Sequence, residues 1–177
     1  MRKFILFAIT LLIIFPTCFC RDFSVAKAAP VFRNDINGDG KLIIVVDPGH
    51  GGTSQGAFYK NTDEAIPNMV IARALKEELE KYEGVTVYLT HESTDETLYI
   101  INRVQNAAKK KADLYISIHL NAKADHDLFG CEAWVPFQNE KYNRQAFTMA
   151  ALLLPKLEEM GIYNRGIKVR RNDEGGE

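Results

Sequence analysis

Short apolar runs and amphipathic segments alternate along the chain from residue 41, and this alternation decides the fold class. Residues 41–47 (KLIIVVD) form a β-branched apolar run, which is typical of a strand buried on both faces. Helical spacing follows over 66–82, and a second short run follows at 85–90. Strands that alternate with helices join through right-handed crossovers, which makes their sheet largely parallel. The sequence therefore predicts an α/β fold in a single domain, a mostly parallel twisted sheet with helices on both faces.

The alternation continues beyond residue 90. Further helices are predicted over 97–110 and 143–160, and further strands at 114–119, 132–137 and 166–169. The apolar residues of the first of these helices recur at helical spacing, as in a helix that packs one face. They are Leu98, Ile101, Val104 and Ala108.

Residues 1–28 have the pattern of an export signal. Arg2 and Lys3 supply positive charge, residues 4–15 form an apolar run of 12, and Ala26-Lys27-Ala28 matches the A-x-A pattern of signal peptidase sites. A run of 12 residues is too short to span a bilayer comfortably as a helix. We expect a signal peptide over 1–28 and a secreted protein. An uncleaved anchor is the alternative, and lipidation at Cys18 or Cys20 is a third option, although neither cysteine has the small-residue context of a lipoprotein site.

Length, charge and cysteine content narrow the function classes. A chain of 177 residues allows one domain rather than two, here a polar lead-in over 29–40 and a globular part over 41–177. The formal net charge is −1, which provides no bulk attraction to nucleic acid or anionic lipid. We expect no nucleic-acid partner and no stable membrane association after signal cleavage. Cys131 is the one cysteine beyond residue 28, and we interpret it as a small buried residue, with a catalytic thiol as the alternative.

Two histidines lie where predicted strands end. His50 follows the first strand in DPGHGG (47–52), and His119 ends the third in SIHLNA (117–122). Open α/β sheets place their sites at the carboxyl ends of strands. Because imidazole is a common zinc ligand, and catalytic zinc usually takes three protein ligands, these histidines indicate a zinc site.

The third zinc ligand comes from elsewhere in the chain. Glu64 is our candidate, because it lies just before the helix that follows the first strand. Asp63 is a possible substitute for it, and a carboxylate that only favours the helix N-terminus is the alternative interpretation of Glu64. We interpret His126, in a long polar loop, as a solvated surface residue.

Five segments in this order resemble the zinc-dependent N-acetylmuramoyl-L-alanine amidases of the Amidase_3 type. They are KLIIVVDPGHGG, Glu64 with Asn68, ADLYISIHLNA, Gly130-x-Glu132 and Arg165-Gly166-Ile167-Lys168. The resemblance covers residues 41 to about 170 and implies an amidase catalytic domain over 41–177. It implies Zn²⁺ held by His50, Glu64 and His119. It also implies hydrolysis of the amide between N-acetylmuramic acid and L-alanine of peptidoglycan, in the cell envelope.

The family's general base has no counterpart in the matched segments. In the family it is a glutamate on a further strand after the Arg-Gly-Ile-Lys segment, so we expect it beyond residue 177 and assign no catalytic residue within the chain. We therefore also expect the last strand of the family to be missing and the domain to be incomplete at its C-terminal end. Glu174 and Glu177 lie in a polar, Gly-rich tail and are poor substitutes, and Glu132 matches a different family position.

Two alternatives to the amidase remain open. One is a catalytically silent fragment that holds zinc and binds peptidoglycan. The other is a secreted zinc peptidase that acts on the stem peptide. His91 stands where relatives often have Arg, and Ala108 where they often have Asn, and we expect neither to touch the zinc.

Overall fold

The structure, a computed structural model, describes residues 40–122, 129–136 and 140–170. These residues fall into two compact units, which divide between Leu120 and Asn121. The predicted signal and nearly all of the lead-in lie outside the described residues. His126, Glu174 and Glu177 lie outside them as well. The expectations that concern these residues, and a further strand after residue 170, stay predictions.

A three-stranded parallel sheet forms the centre of the first unit. Strand β1 (Leu42–Pro48) lies between β4 (Val85–Leu89) and β5 (Leu114–Ile118). The central strand is buried on both faces, as its unbroken apolar run predicts. An antiparallel pair of two-residue strands, β2 (Phe58–Tyr59) and β3 (Thr62–Asp63), follows β1.

Two helices belong to this first unit. Helix α1 (Ala65–Leu79) packs on all three strands of the sheet. Helix α2 (Ile100–Lys109) connects β4 to β5. The buried residues of α1 recur at helical spacing, so that one face of the helix meets the sheet. They are Ala65, Asn68, Met69, Ile71, Ala72 and Leu75.

The apolar residues whose spacing predicts α2 are not the residues that the helix buries. Ile101 is 60% exposed and Val104 is 49% exposed, whereas Arg103 and Ala107 are the buried residues of the helix. The physical reason is an ion pair. The Arg103 guanidinium lies 2.9 Å from a buried oxygen of Asp47 at the end of β1, and this contact, rather than the apolar spacing, decides which side of α2 faces inward.

The second unit is a smaller α/β element. Strands β6 (Cys131–Pro136) and β7 (Asn164–Arg170) pair in parallel, and α3 (Glu140–Glu159) packs on both. Its core includes Val135, Ala150, Leu154 and Leu157. Cys131 is buried with them, and burial raises the pKa of its thiol, as expected for a packing residue rather than a reactive one.

The predicted α/β class with mostly parallel strands is confirmed. Each helix and strand predicted over the described residues is present, and the β2–β3 pair is the element that was not predicted. Among the described residues, none of the helices has the length and apolar character that crossing a membrane requires.

The two faces of α3 provide a test of its packing. Leu157 is 2% exposed and Leu152 is 70% exposed, although both belong to the same helix. Replacement of Leu157 by Ala should lower the free energy of unfolding by about 2–5 kcal/mol, because it removes buried methyl groups and leaves a cavity. Replacement of Leu152 by Ala should stay within about 0.5 kcal/mol of wild type. Urea unfolding measures both, and equal losses would contradict this orientation of α3.

Candidate metal centre

Three side chains from three separate segments converge at one end of the first unit's sheet. His50 follows β1, His119 follows β5, and Glu64 directly precedes α1. His50 Nε2 lies 3.2 Å from Glu64 Oε2, and His119 Nδ1 lies 3.3 Å from Glu64 Oε1. One nitrogen or oxygen atom from each of the three lies within 4.8 Å of the others. These are the three residues that sequence analysis proposes as zinc ligands.

The sheet register explains how the histidines meet. In the parallel pair of β1 and β5, Pro48 lies opposite Ile118, so both strands end at the same edge. His50 and His119 then follow within two residues, and their ring centroids are 4.8 Å apart with the rings at 80°.

Two glycines leave the space that the three side chains occupy. A Cβ atom at Gly49 would lie 2.6 Å from His119 Nδ1, and one at Gly56 would lie 2.7 Å from Glu64 Oε2. Cβ atoms essentially never come this close to other atoms. Glycine at both positions therefore permits the close approach of backbone and side chains at this site.

Glu64 presents its carboxylate to the histidines and not to the helix that it precedes. Oε1 accepts hydrogen bonds from the Leu120 N–H at 2.9 Å and from Asn68 Nδ2 at 3.3 Å, and Oε2 accepts one from the Ala57 N–H at 3.1 Å. The side chain makes no capping hydrogen bond to α1. This geometry argues against the helix-terminus interpretation. Asp63, the substitute, lies in β3 and is not among the three residues that converge.

The electrostatics of Glu64 keep it anionic. Burial alone would raise its pKa, but hydrogen bonds from His119 and from the Ala57 and Leu120 backbone, together with the charge of His50, outweigh burial and lower the pKa to about 2. A carboxylate that is ionised at neutral pH can bind a cation without first losing a proton.

The donor set fits a zinc ion. Two imidazoles and one carboxylate form the His₂Glu set known from catalytic zinc sites, in which a fourth position stays open. The Glu64 side chain is 6% exposed, whereas that of His119 is 50% exposed. Glu64 therefore lies on the buried side of the site, and His119 lies on the side that is open to solvent. The metal-ligand roles of the three residues stay predictions.

Other residues from the sequence analysis lie outside this cluster. His91 is buried, its Nδ1 lies 3.0 Å from Thr90 Oγ1, and burial together with Arg103 lowers its pKa. Glu132 lies in β6 of the second unit and accepts hydrogen bonds from Arg165 Nε at 2.9 Å and from Lys168 Nζ. Burial alone would raise the pKa of Glu132, but these cations and the Trp134 and Asn121 side chains lower it to about 2.

Arg103 is the residue near the site that sequence reasoning missed. Its guanidinium donates to the backbone carbonyls of Pro48 and His50, at 2.8 Å each. The signal in the sequence was Asp47, a carboxylate at the end of a buried apolar strand. A buried carboxylate needs a cationic or hydrogen-bonding partner, and no spacing rule identifies where in the chain that partner lies.

Comparisons with known proteins place these features in a family. The family model described as N-acetylmuramoyl-L-alanine amidase, Amidase_3, matches residues 44–173. N-acetylmuramoyl-L-alanine amidase LytC of Bacillus subtilis (strain 168) is 30% identical over 144 residues, which are 80% of this chain and 27% of that protein. Probable cell wall amidase LytH of Staphylococcus saprophyticus is 44% identical over 133 residues, which are 72% of this chain and 43% of that protein. The chain thus spans less than half the length of these two relatives.

Solved structures show the same fold. The catalytic domain of CwlV, an N-acetylmuramoyl-L-alanine amidase from Bacillus (Paenibacillus) polymyxa var. colistinus, superposes with a TM-score of 0.65 at 26% identity, over 76% of this chain and 75% of that chain. Cwp6 from Clostridium difficile superposes with a TM-score of 0.68 at 30% identity, over 77% of this chain and 22% of that chain.

The cation cluster around Glu132 predicts a pH-dependent stability. The ordinary pKa of this glutamate is about 4.5 and its folded value is about 2. Its ionised form therefore stabilises the fold above about pH 4.5, and the contribution is lost as the pH falls through 2. Replacement of Glu132 by Gln should cost about 1–3 kcal/mol at pH 7. The difference from wild type should shrink between pH 4.5 and pH 2, as measured by urea unfolding.

Glu159 supplies the matched control for this experiment. It pairs with Lys156 at 2.9 Å on α3, but its side chain is 64% exposed. Replacement of Glu159 by Gln should change stability by less than about 0.5 kcal/mol at any of these pH values. A Glu132→Gln loss that is the same at pH 3 as at pH 7 would contradict the assignment of its charge.

Proposed function

Because the chain belongs to the N-acetylmuramoyl-L-alanine amidase family, we propose that it hydrolyses the amide between N-acetylmuramic acid and L-alanine of peptidoglycan, with zinc held by His50, Glu64 and His119. The observation that carries this proposal is the convergence of these three side chains within 4.8 Å of one another. The names of the relatives support the choice of bond.

Each of the three side chains has a distinct part in holding the metal. His50 and His119 would each bind zinc through the ring nitrogen that faces the Glu64 carboxylate, and this nitrogen has to carry no proton when the metal is bound. Glu64 supplies a negative charge, and the Asn68, Ala57 and Leu120 donors hold its orientation. Zinc bound here would polarise the scissile carbonyl and make an attacking water more acidic. The exposed side of His119 is where we place the substrate.

The general base is expected from the family resemblance and is not assigned to a residue of this chain. The family's glutamate is expected on a strand after β7, and residues 171–177 lie outside the described residues. Glu132 is a poor candidate, because a pKa of about 2 makes it a weak proton acceptor at neutral pH. The proposed substrate lies outside the cytoplasmic membrane, and the predicted signal over 1–28 supports secretion to the cell envelope.

The metal is the first test. We expect about one zinc ion per folded chain, in line with a site that has three protein ligands. Replacement of His50 or His119 by Ala should lower zinc affinity sharply, because each removes one ligand. Elemental analysis after dialysis measures the zinc content. His126→Ala is the matched control and should keep the wild-type content, because sequence analysis places it on the surface. Equal zinc in all four proteins would exclude this site.

The cleaved bond is the second test. Purified muropeptides should yield a sugar with a free lactyl carboxylate and a peptide with a free alanine amine. The chain alone should react weakly, and the chain extended by the glutamate-bearing strand of a relative should react at least ~10²-fold faster, the typical contribution of an acid–base residue. Mass spectrometry of the products, at matched zinc loading, identifies the bond.

The remaining outcomes of this assay separate the alternatives. Cleavage within the stem peptide would favour the zinc peptidase. A zinc-loaded, extended protein that binds peptidoglycan without cleaving it would favour the silent binding fragment. Equal rates with and without the extension would place the base within this chain.

A further inference from the structure

We propose that Arg103 is a positioning residue for the metal site, which fixes the backbone of the His50 loop and, through Asp47, links that loop to the strand that leads to His119. The inference rests on the zinc site proposed above.

The Arg103 side chain is buried, and its N–H groups donate to carbonyls at the end of β1, in the loop after β1 and in the segment before α2. The residue is 5% exposed. Nε donates to the Leu98 carbonyl at 2.9 Å, Nη1 to the Pro48 carbonyl at 2.8 Å, and Nη2 to the His50 carbonyl at 2.8 Å. A single side chain thus connects the segment before α2 with the loop after β1. One of the three carbonyls belongs to a proposed metal ligand.

The His50 backbone is the part of the site that most needs such support. Its φ is +71°, in the left-handed region that residues with a Cβ atom rarely adopt. Such a conformation is strained for a residue with a Cβ atom and persists where surrounding contacts determine it. The loop also contains Gly49, Gly51 and Gly52, which restrict the backbone little. The hydrogen bond from Arg103 to the His50 carbonyl holds the peptide group that sets the direction of the imidazole.

Asp47 extends the connection from Arg103 to the second histidine. Its Oδ1 accepts from Arg103 Nη1 at 2.9 Å and from Thr90 Oγ1 at 2.6 Å. Its Oδ2 accepts from Ser117 Oγ at 2.7 Å. Ser117 lies opposite Asp47 in the β1–β5 register and precedes His119 by two residues. The ion pair therefore lies against the ends of both strands that lead to the histidines.

The chemistry of this position requires arginine. The guanidinium presents five N–H donors in a fixed plane, and here they serve three carbonyls and one carboxylate oxygen. A lysine ammonium has the same charge on a single nitrogen, so it cannot reach the same set of acceptors. The Pro48 and His50 carbonyls would then lose the guanidinium donors that now hold them at 2.8 Å. Arg103→Lys is therefore the substitution that keeps the charge and removes the positioning.

The test compares Arg103→Lys with Arg73→Lys in the full chain. Arg73 is an exposed arginine on α1 that donates to the Glu92 carbonyl, which makes it a matched control. Chelator competition gives the zinc affinity of the folded protein, and the visible spectrum of the Co²⁺-loaded protein reports the ligand geometry. Arg103→Lys should lower zinc affinity by about 10–100-fold, as is typical when a group that orients a metal ligand is lost. It should also change the cobalt band intensities. Arg73→Lys should match wild type in both measurements.

Ser117→Ala provides a second variant that keeps Arg103. It removes one hydrogen bond to Asp47 and should lower zinc affinity in the same direction by a smaller factor. If Arg103→Lys folds and lowers thermal stability but leaves zinc affinity and the cobalt spectrum unchanged, Arg103 is only a structural residue and the proposal is overturned. If Arg103→Lys does not fold, wild-type affinity and spectrum in Ser117→Ala overturn it. A wild-type protein that binds no zinc contradicts the proposed function itself, which is a separate result.

Discussion

The hydrogen bonds and ion pair of the buried Asp47 carboxylate are the interactions on which the proposed metal site of the first unit depends. The carboxylate lies near the end of the central strand β1 and accepts hydrogen bonds from residues that follow or belong to both neighbouring strands, Thr90 after β4 and Ser117 in β5. Burial alone would raise its pKa, but these hydroxyl groups and Arg103 lower it, so the carboxylate stays charged. Burial of an unpaired charge costs desolvation free energy. Pairing with Asp47 therefore favours the orientation of α2 in which Arg103 is buried.

One consequence of this arrangement is that α2 turns a charged residue toward the interior and leaves apolar residues exposed. Helices of soluble α/β proteins usually bury an apolar stripe. Here Ile101 and Val104 are more exposed than Arg103. A buried ion pair contributes little net stability compared with apolar residues of similar volume, so stability alone does not explain its presence. Arg103 also donates to the carbonyls of Pro48 and His50, and these hydrogen bonds give the arginine a second role, which is to fix the geometry of the His50 loop.

Sequence reasoning succeeds where one local pattern decides the structure. The β-branched run of β1 predicts a central buried strand, and the ends of the predicted strands identify His50 and His119, because parallel strands end at a common edge. Glu64 is less determined, since only the folded loop shows that its carboxylate faces the histidines and not the helix. The pairing of Asp47 with Arg103 spans 56 residues, and no periodicity encodes a contact of that kind. The β2–β3 pair was missed because strands of two residues carry no detectable alternation.

The two strongly perturbed glutamates are both weak proton acceptors at neutral pH. The pKa values of Glu64 and Glu132 are both about 2, but for different reasons. Glu64 is held ionised by backbone N–H groups and imidazoles, which suits a metal ligand, whereas Glu132 is held ionised by Arg165 and Lys168, which suits an ion-pair network. A general base works best with a pKa near the operating pH, which requires fewer stabilising donors than either site provides. The same donors that keep Glu64 ionised at neutral pH make it a weak proton acceptor there, which suits a metal ligand better than a group that transfers protons.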